Sequence, residues 1–303
     1  MPKAHRPGRR APPESSPAWA LRAAQLEAVR QPPAKVRTHG ESPLTHKDIQ
    51  PFPHNREVVI DGGYLASRRH IFHGFLELDV TEARATISRT AGKDGRPLSF
   101  TAFVISSLAQ AVRQHPAVHA YRDFRGRLVV FHDVDVSTLI EPSPGVVATP
   151  HVIRAADSRS VRDISEEIRG VQTDPHPWGK LERTMAIGSR LPRIVRLLYL
   201  QGLKLNPEWL KKVAGTVIVS SFGMFGKKGG WGVGFLPSHT LGLLVGGIAK
   251  KPMEHEGGIA LRECLHATLS FDHDVVDGAP AARFARTFAD LIEDAASLQT
   301  EAA

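Results

Sequence analysis

From Leu261 to Phe271 the chain alternates: Leu261, Leu265, Ala267, Leu269 and Phe271 share one face, and Arg262, Cys264, His266, Thr268 and Ser270 share the other. A period of two belongs to a strand with one face on a core. The strand runs into Phe271-Asp-His-Asp-Val-Val-Asp-Gly278, after which Phe284, Phe288 and Ile292 recur at helical spacing. Strand, short turn and core-facing helix commit this end of the chain to an alternating α/β fold and set His273 where a strand stops. A histidine there can act as a general base near neutral pH, because its unperturbed pKa of about 6.5 is easily tuned. Asp277, four residues on, is close enough to brace the turn. The same residues also fit a plainer reading, a satisfied histidine beside an aspartate that caps the next helix.

Upstream, helix and strand signals interleave. Phe103, Val104, Ser107, Leu108, Ala111 and Val112 predict a core-facing helix that Pro116 stops, and Arg127 to Ile140 then reads as a strand. Val146 to Ile153 reads as a second strand. Ser160-x-x-Asp163 is a capping box opening a helix striped by Val161, Ile164, Ile168 and Val171. Residues 190–212 form a basic, Leu-rich helical stretch (Leu197, Leu198, Leu203, Leu210) broken near Asn206-Pro207, expected to be a core or interface helix or the wall of a hydrophobic channel. Thr216 to Ser221 is a β-branched strand; a glycine-rich loop follows from Gly223 to Gly234, then a buried strand from Leu241 to Ile248.

The first 53 residues differ in kind. They hold ten of the 22 prolines, and residues 1–50 carry nine Lys/Arg against four Asp/Glu, most of the net charge of +8. Such a composition resists packing, so residues 1–53 are expected to be a mostly disordered basic tail and residues 54–303 the folded domain. Within the tail, Trp19, Ala23 and Leu26 line one face of a short helix that could dock on a partner. No aromatics interleave with Arg6, Arg9 and Arg10, so no nucleic-acid role is expected. No apolar run approaches the roughly 20 residues of a membrane span, and no secretory signal is evident. A single cysteine, Cys264, excludes an internal disulfide and a Cys-rich zinc site, and a cytoplasmic setting is expected.

Leu269-Ser-Phe-Asp-His-Asp-Val-Val-Asp-Gly-Ala-Pro-Ala-Ala-Arg-Phe284 resembles the C-terminal signature of the dihydrolipoamide acyltransferase catalytic domain of 2-oxo acid dehydrogenase complexes, whose fold is shared with chloramphenicol acetyltransferase. Gly215-Thr-Val-Ile-Val-Ser-Ser-Phe-Gly-Met-Phe-Gly226 is similar to that family's active-site serine strand, and Pro237 with Leu241 to Gly247 to the strand after it. Leu98 to Val104, His115-Pro-Ala-Val118, Val134-Asp-Val136, Gly145 to Pro150 and Ile153 to Ser160 resemble the rest in order, so the likeness spans about residues 70–297. It implies a chloramphenicol acetyltransferase-like two-layer α/β sandwich, a mixed sheet with helices, and an active site at a trimer interface. It also implies a coenzyme A-dependent acyltransferase without metal. His273 would be the general base, Ser220 the oxyanion donor and Asp277 a brace acting through a salt bridge. Lys227 and Lys228 in the glycine-rich loop are candidates for coenzyme A phosphates.

The chain also departs from that family. Asp274 stands where relatives of the dehydrogenase complexes carry arginine, a carboxylate expected to favour His273 protonation. The tail has no room for a lipoyl module, so no covalently bound lipoyl group is expected on this chain. An acceptor lipoyl group would come on a separate protein or from dehydrogenase-complex subunits. The C-terminus lacks the apolar end that joins trimers into cubic cores, which favours a free homotrimer. Two alternatives stand beside a dihydrolipoamide acceptor: a small alcohol or amine, or a non-catalytic trimeric structural or regulatory homologue. His115 and His119 have a helical metal-pair spacing, but Pro116 breaks that helix, and no metal is expected. Cys264 is expected to be inert packing or channel lining.

Overall fold

The structure, a computed structural model, describes residues 52, 56–90, 92, 95–140, 149–173, 188, 190–221 and 229–302. The basic proline-rich segment up to Pro51, with its Trp19 helix, lies outside the described residues, as do Lys227 and Lys228.

The alternation at Leu261–Phe271 forms part of a 15-residue strand, β8 (Gly258–Asp272), at the heart of a six-stranded mixed sheet. The others are β1 (Ile71–Asp79), β4 (Val136–Ile140), β5 (Thr149–Ile153), β6 (Val217–Ser221) and β7 (Leu241–His255), in the order β1-β8-β7-β6-β4-β5. β6 runs parallel to both β4 and β7; the other pairs are antiparallel. β7 is longer than the expected Leu241–Ile248 because it pairs with β8 out to His255–Gly258 across a Glu256-Gly257 turn. Both turn residues have positive φ, 51° and 78°, the geometry of a tight hairpin of the type I′ class. Ile259 and Leu261 are 83% and 72% exposed, since this tip extends beyond the buried stretch Cys264–Asp272.

One face of the sheet carries the core. Val217, Val219, Leu241, Leu243, Leu269 and Phe271 pack with helices α3 (Phe100–Gln114) and α7 (Gly278–Glu293). α3 is buried on nearly all sides. Its N-terminus is set by Ser99, whose Oγ accepts from Ala102 N, and its C-terminus by His115-Pro116. In α7 the expected stripe Phe284, Phe288 and Ile292 is fully buried, each side chain contributing about 1.5–3 kcal/mol. α2 (Thr81–Arg89), α4 (Val161–Thr173) and α8 (Ala296–Ala302) complete this layer. α4 opens on the capping residues read in the sequence: Asp163 N donates to Ser160 Oγ at 3.0 Å, and Val161, Ile164, Ile168 and Val171 are buried.

Two expectations change. Arg127–Ile140 is not one strand: β3 (Leu128–Val129) pairs only with β2 (Tyr121–Arg122), and β4 begins at Val136. Asp133 and Asp135 explain the break. Asp133 holds Lys211, and Asp135 accepts from Ala155 N and Arg154, while Phe131 and Val134 stay buried and keep the pattern strand-like. The Leu-rich stretch does break where expected, into α5 (Arg193–Leu205) and α6 (Pro207–Ala214), with Asn206 Oδ1 capping Trp209 N. It is only partly core: Leu203 and Leu210 are buried, but Leu198 is 67% exposed. α5 is tied to α1 (Arg56–Ala66) through Arg196 and the fully buried Asp61.

Candidate active site

The site forms where β8 ends. Phe271 stacks on Phe72 and meets Phe284 edge-on, which fixes the last turn of the strand against the core. His273 N then donates to His70 O at 2.7 Å, and the amides of Val275 and Val276 both donate to Asp272 O. The buried Val276 anchors the turn before α7 begins. His273 is therefore held by backbone on both sides while its ring, 4.8 Å from the Phe72 ring, stays 51% exposed. A fixed backbone and a free ring are what a proton carrier at a strand end requires.

Asp277 occupies the N-cap position of α7 but makes no side-chain capping bond; its Oδ1 lies 3.7 Å from His273 Nδ1. The arginine bridge at this turn belongs to a different carboxylate. Arg69, just before β1, directs both Nε and Nη2 onto Asp272 Oδ2, with both side chains nearly buried, and Asp272 Oδ1 accepts from Asp274 N. Arg69 escaped the sequence analysis; its only signal was an Arg68-Arg69 pair preceding a strand. Asp274 Oδ1 bonds His70 Nδ1 at 2.8 Å, and this hydrogen bond, together with the carboxylate's charge, raises the pKa of His70.

Ser220 lies on β6, two strands from β8. It pairs with Leu244, and Leu244 with Thr268, so Ser220, Leu244 and Thr268 share the face of the sheet opposite the α3–α7 layer. That face is polar along β1 and β8, where His73 Nδ1 bonds Ser270 Oγ at 2.8 Å and His266 Nδ1 bonds Gly247 O at 3.0 Å. His273 is five residues beyond Thr268. With about 3.3 Å per residue along a strand and about 4.8 Å between strands, Ser220 and His273 of one chain are roughly 15–20 Å apart. One chain does not bring the two to a common reacting atom.

Two cavities flank the turn. One of about 380 Å³ is lined by Arg68, Arg122, Lys204, Asp272 and Asp274 among others. Another of about 350 Å³ is lined by Arg69, His73 and Phe235. Burial, with the nearby Arg69 charge, lowers the Lys204 pKa. The other sequence candidates have structural partners. His115 Nε2 bonds Thr287 Oγ1, and the buried His119 Nε2 bonds Phe131 O. Among the described residues no cluster of three or more His, Cys, Asp or Glu is arranged to hold a metal. Cys264 is buried, and burial raises its thiol pKa.

A family model for the 2-oxoacid dehydrogenases acyltransferase (catalytic domain) matches residues 69–182 and 201–300. The chain belongs to this family. It is 26% identical over 249 residues to the dihydrolipoyllysine-residue acetyltransferase component of the pyruvate dehydrogenase complex of Rickettsia bellii, covering 80% of this chain and 52% of that protein. The Staphylococcus aureus component is 26% identical over 276 residues, 88% of this chain and 56% of that protein. The chain thus spans about half the length of the curated relatives it matches. Its fold is that of a probable dihydrolipoamide acetyltransferase from Listeria monocytogenes, with TM-score 0.63 and 21% identity over 83% of this chain and 96% of that one. A dihydrolipoamide acetyltransferase from Azotobacter vinelandii aligns with TM-score 0.63 and 18% identity over 87% of this chain and all of that one. In that enzyme a serine, a histidine and an asparagine were investigated for roles in the catalytic mechanism.

Proposed function

We propose that this chain transfers an acyl group between coenzyme A and a thiol such as dihydrolipoamide, with His273 as general base and Ser220 as oxyanion donor. The observation that carries the reading is His273 itself: backbone-fixed at the end of β8, half-exposed, and inside the stretch that the family model matches. Asp277, facing Nδ1, favours the tautomer with its proton there and leaves Nε2 to accept. The attacking thiol gives its proton to Nε2, and the sulfur adds to the thioester carbonyl. The negative charge passes to the carbonyl oxygen, where a serine hydroxyl donates. Collapse expels the second sulfur, which takes the proton back from His273, so the imidazole is regenerated and no acyl-enzyme forms.

The separation of Ser220 from His273 within one chain supports a site shared between neighbouring copies, as a homotrimer would provide. Phe75, Trp231, Val233 and Phe235, between 40% and 60% exposed, provide apolar surface for such a neighbour; Phe75 lies on the Ser220 face, and Trp231 packs against it.

The test is thiol release from acetyl-CoA and longer acyl-CoAs with dihydrolipoamide as acceptor. His273→Ala should lose roughly 10²–10⁴-fold in turnover, and Ser220→Ala roughly 10²–10³-fold. Mixing the two inactive variants after dissociation and reassembly should restore activity through sites that combine an intact serine with an intact histidine. Equal rates in wild type and His273→Ala would overturn the proposal.

A further inference from the structure

α5 is apolar on its outer side. Ile194, Leu198 and Leu205 stand in line on that side, flanked by Val195 and Tyr199, and their exposures run from 46% to 73%. α1 adds Val59, Ile60 and Tyr64, each at least 36% exposed, and Arg193 lies over the Tyr64 ring at 5.3 Å, joining the two helices into one surface. Isolated exposed aliphatics are ordinary, but a row on one helix, interrupted here only at Gln201 and Gly202, marks an interaction surface.

The charges on the pair are sorted as clearly as the apolar residues. Its only carboxylates are Glu57 and Asp61, and both are committed to arginine. Asp61 is fully buried and accepts from Arg193 Nε and Arg196 Nε, while Glu57 accepts from Arg196 Nη2. The exposed charges on and beside the two helices are Arg56, Arg68 and Arg190, with Arg193 half-exposed, against one exposed carboxylate, Glu208, at the start of α6. The surface offered to a partner is therefore aliphatic and aromatic, rimmed by cations.

We infer that the α1–α5 face docks on an anionic phospholipid surface, with α5 lying in the plane of the interface. Charge complementarity selects this occupant. A second copy of the chain would bring cationic rims together, whereas anionic head groups neutralise them and the acyl boundary takes Ile194 and Leu198. At 13 residues α5 is about 20 Å long, too short to cross a bilayer core of about 30 Å but long enough to lie along one. Ile194 and Leu198, the centre of the row, line neither cavity beside the His273 turn, whereas Arg68 and Leu205 border the larger one.

The experiment is flotation of the full chain with vesicles of phosphatidylcholine alone and of phosphatidylcholine mixed with phosphatidylglycerol. The wild type should float with the mixed vesicles and be released by salt, which screens the arginine rim. Ile194→Ser/Leu198→Ser should weaken that partition on the order of tenfold or more, while thermal melting and thiol release stay at wild-type values. Arg190→Glu, which leaves the apolar row intact, should lower the preference for phosphatidylglycerol. The basic N-terminal segment is common to all three proteins, so the differences report on α5. The inference is overturned if the wild type stays with the solvent, or if the double variant floats equally well. It is also overturned if the double variant loses oligomeric mass while the wild type ignores vesicles, which would make the face a self-interface.

Discussion

Asp272→Asn removes one charge from the buried bridge beneath the His273 turn and strands the other. Arg69 and Asp272 are 8% and 7% exposed, and Arg69 Nε sits 3.0 Å from Asp272 Oδ2. At that distance the Coulomb attraction is about 5 kcal/mol with an effective dielectric of about 20. Desolvation of the pair offsets much of it, but breaking one partner leaves a bare buried charge, and the expected loss of stability is about 3–5 kcal/mol. Arg69→Met should cost a similar amount. The double variant, with neither charge left to desolvate, should be less destabilised than the sum of the singles by about 2 kcal/mol. Urea unfolding midpoints for the four proteins measure this. Because the Asp272 carboxylate also accepts from the Asp274 amide through Oδ1, Asp272→Asn should in addition lower turnover more than it raises KM. Single variants that lose under about 1 kcal/mol, or an additive double variant, would refute the claim that this bridge holds the turn.

Other outcomes follow from buried groups. His239 is fully enclosed; its Nε2 donates to Ala214 O, its Nδ1 has no partner among the described residues, and burial lowers its pKa to about 4. The unfolded chain takes up this proton as pH falls through about 6.5 and the native protein only near 4, so the contribution is whole above 6.5 and lost between these values. Stability should fall by about 2 kcal/mol between pH 7.5 and 5, and His239→Gln should flatten that slope in urea titrations at the two pH values. Gly246→Ala would put a Cβ 2.3 Å from Gly230 O and 2.7 Å from His266 O, both backbone atoms. About 1–3 kcal/mol of destabilisation should appear in thermal melts, and a melt unchanged from wild type would show that this contact yields freely.

The local elements and the histidine were legible because local burial writes itself into local periodicity. The β8 alternation, the α7 stripe of Phe284, Phe288 and Ile292 and the Ser160 cap each depend on residues close in the chain, and each was found where its pattern placed it. Where the pattern misled, a non-local partner was responsible. Phe131 and Val134 look like strand residues because they are buried, yet Asp135 bends the chain there by bonding Ala155 and Arg154.

By itself the sequence determined an α/β domain with His273 at the end of a long strand and a carboxylate four residues on. Only the tertiary structure decided that the buried arginine of this turn comes from 203 residues away and holds Asp272 rather than Asp277. It likewise decided that β7 separates β6 from β8, so Ser220 and His273 of one chain lie apart. It also turned the carboxylates of α1 inward and left the apolar row of α5 outside. The reason is physical: periodicity records which face of a segment is buried, whereas strand order and helix placement choose what it is buried against, and a charge has no period from which its partner can be read.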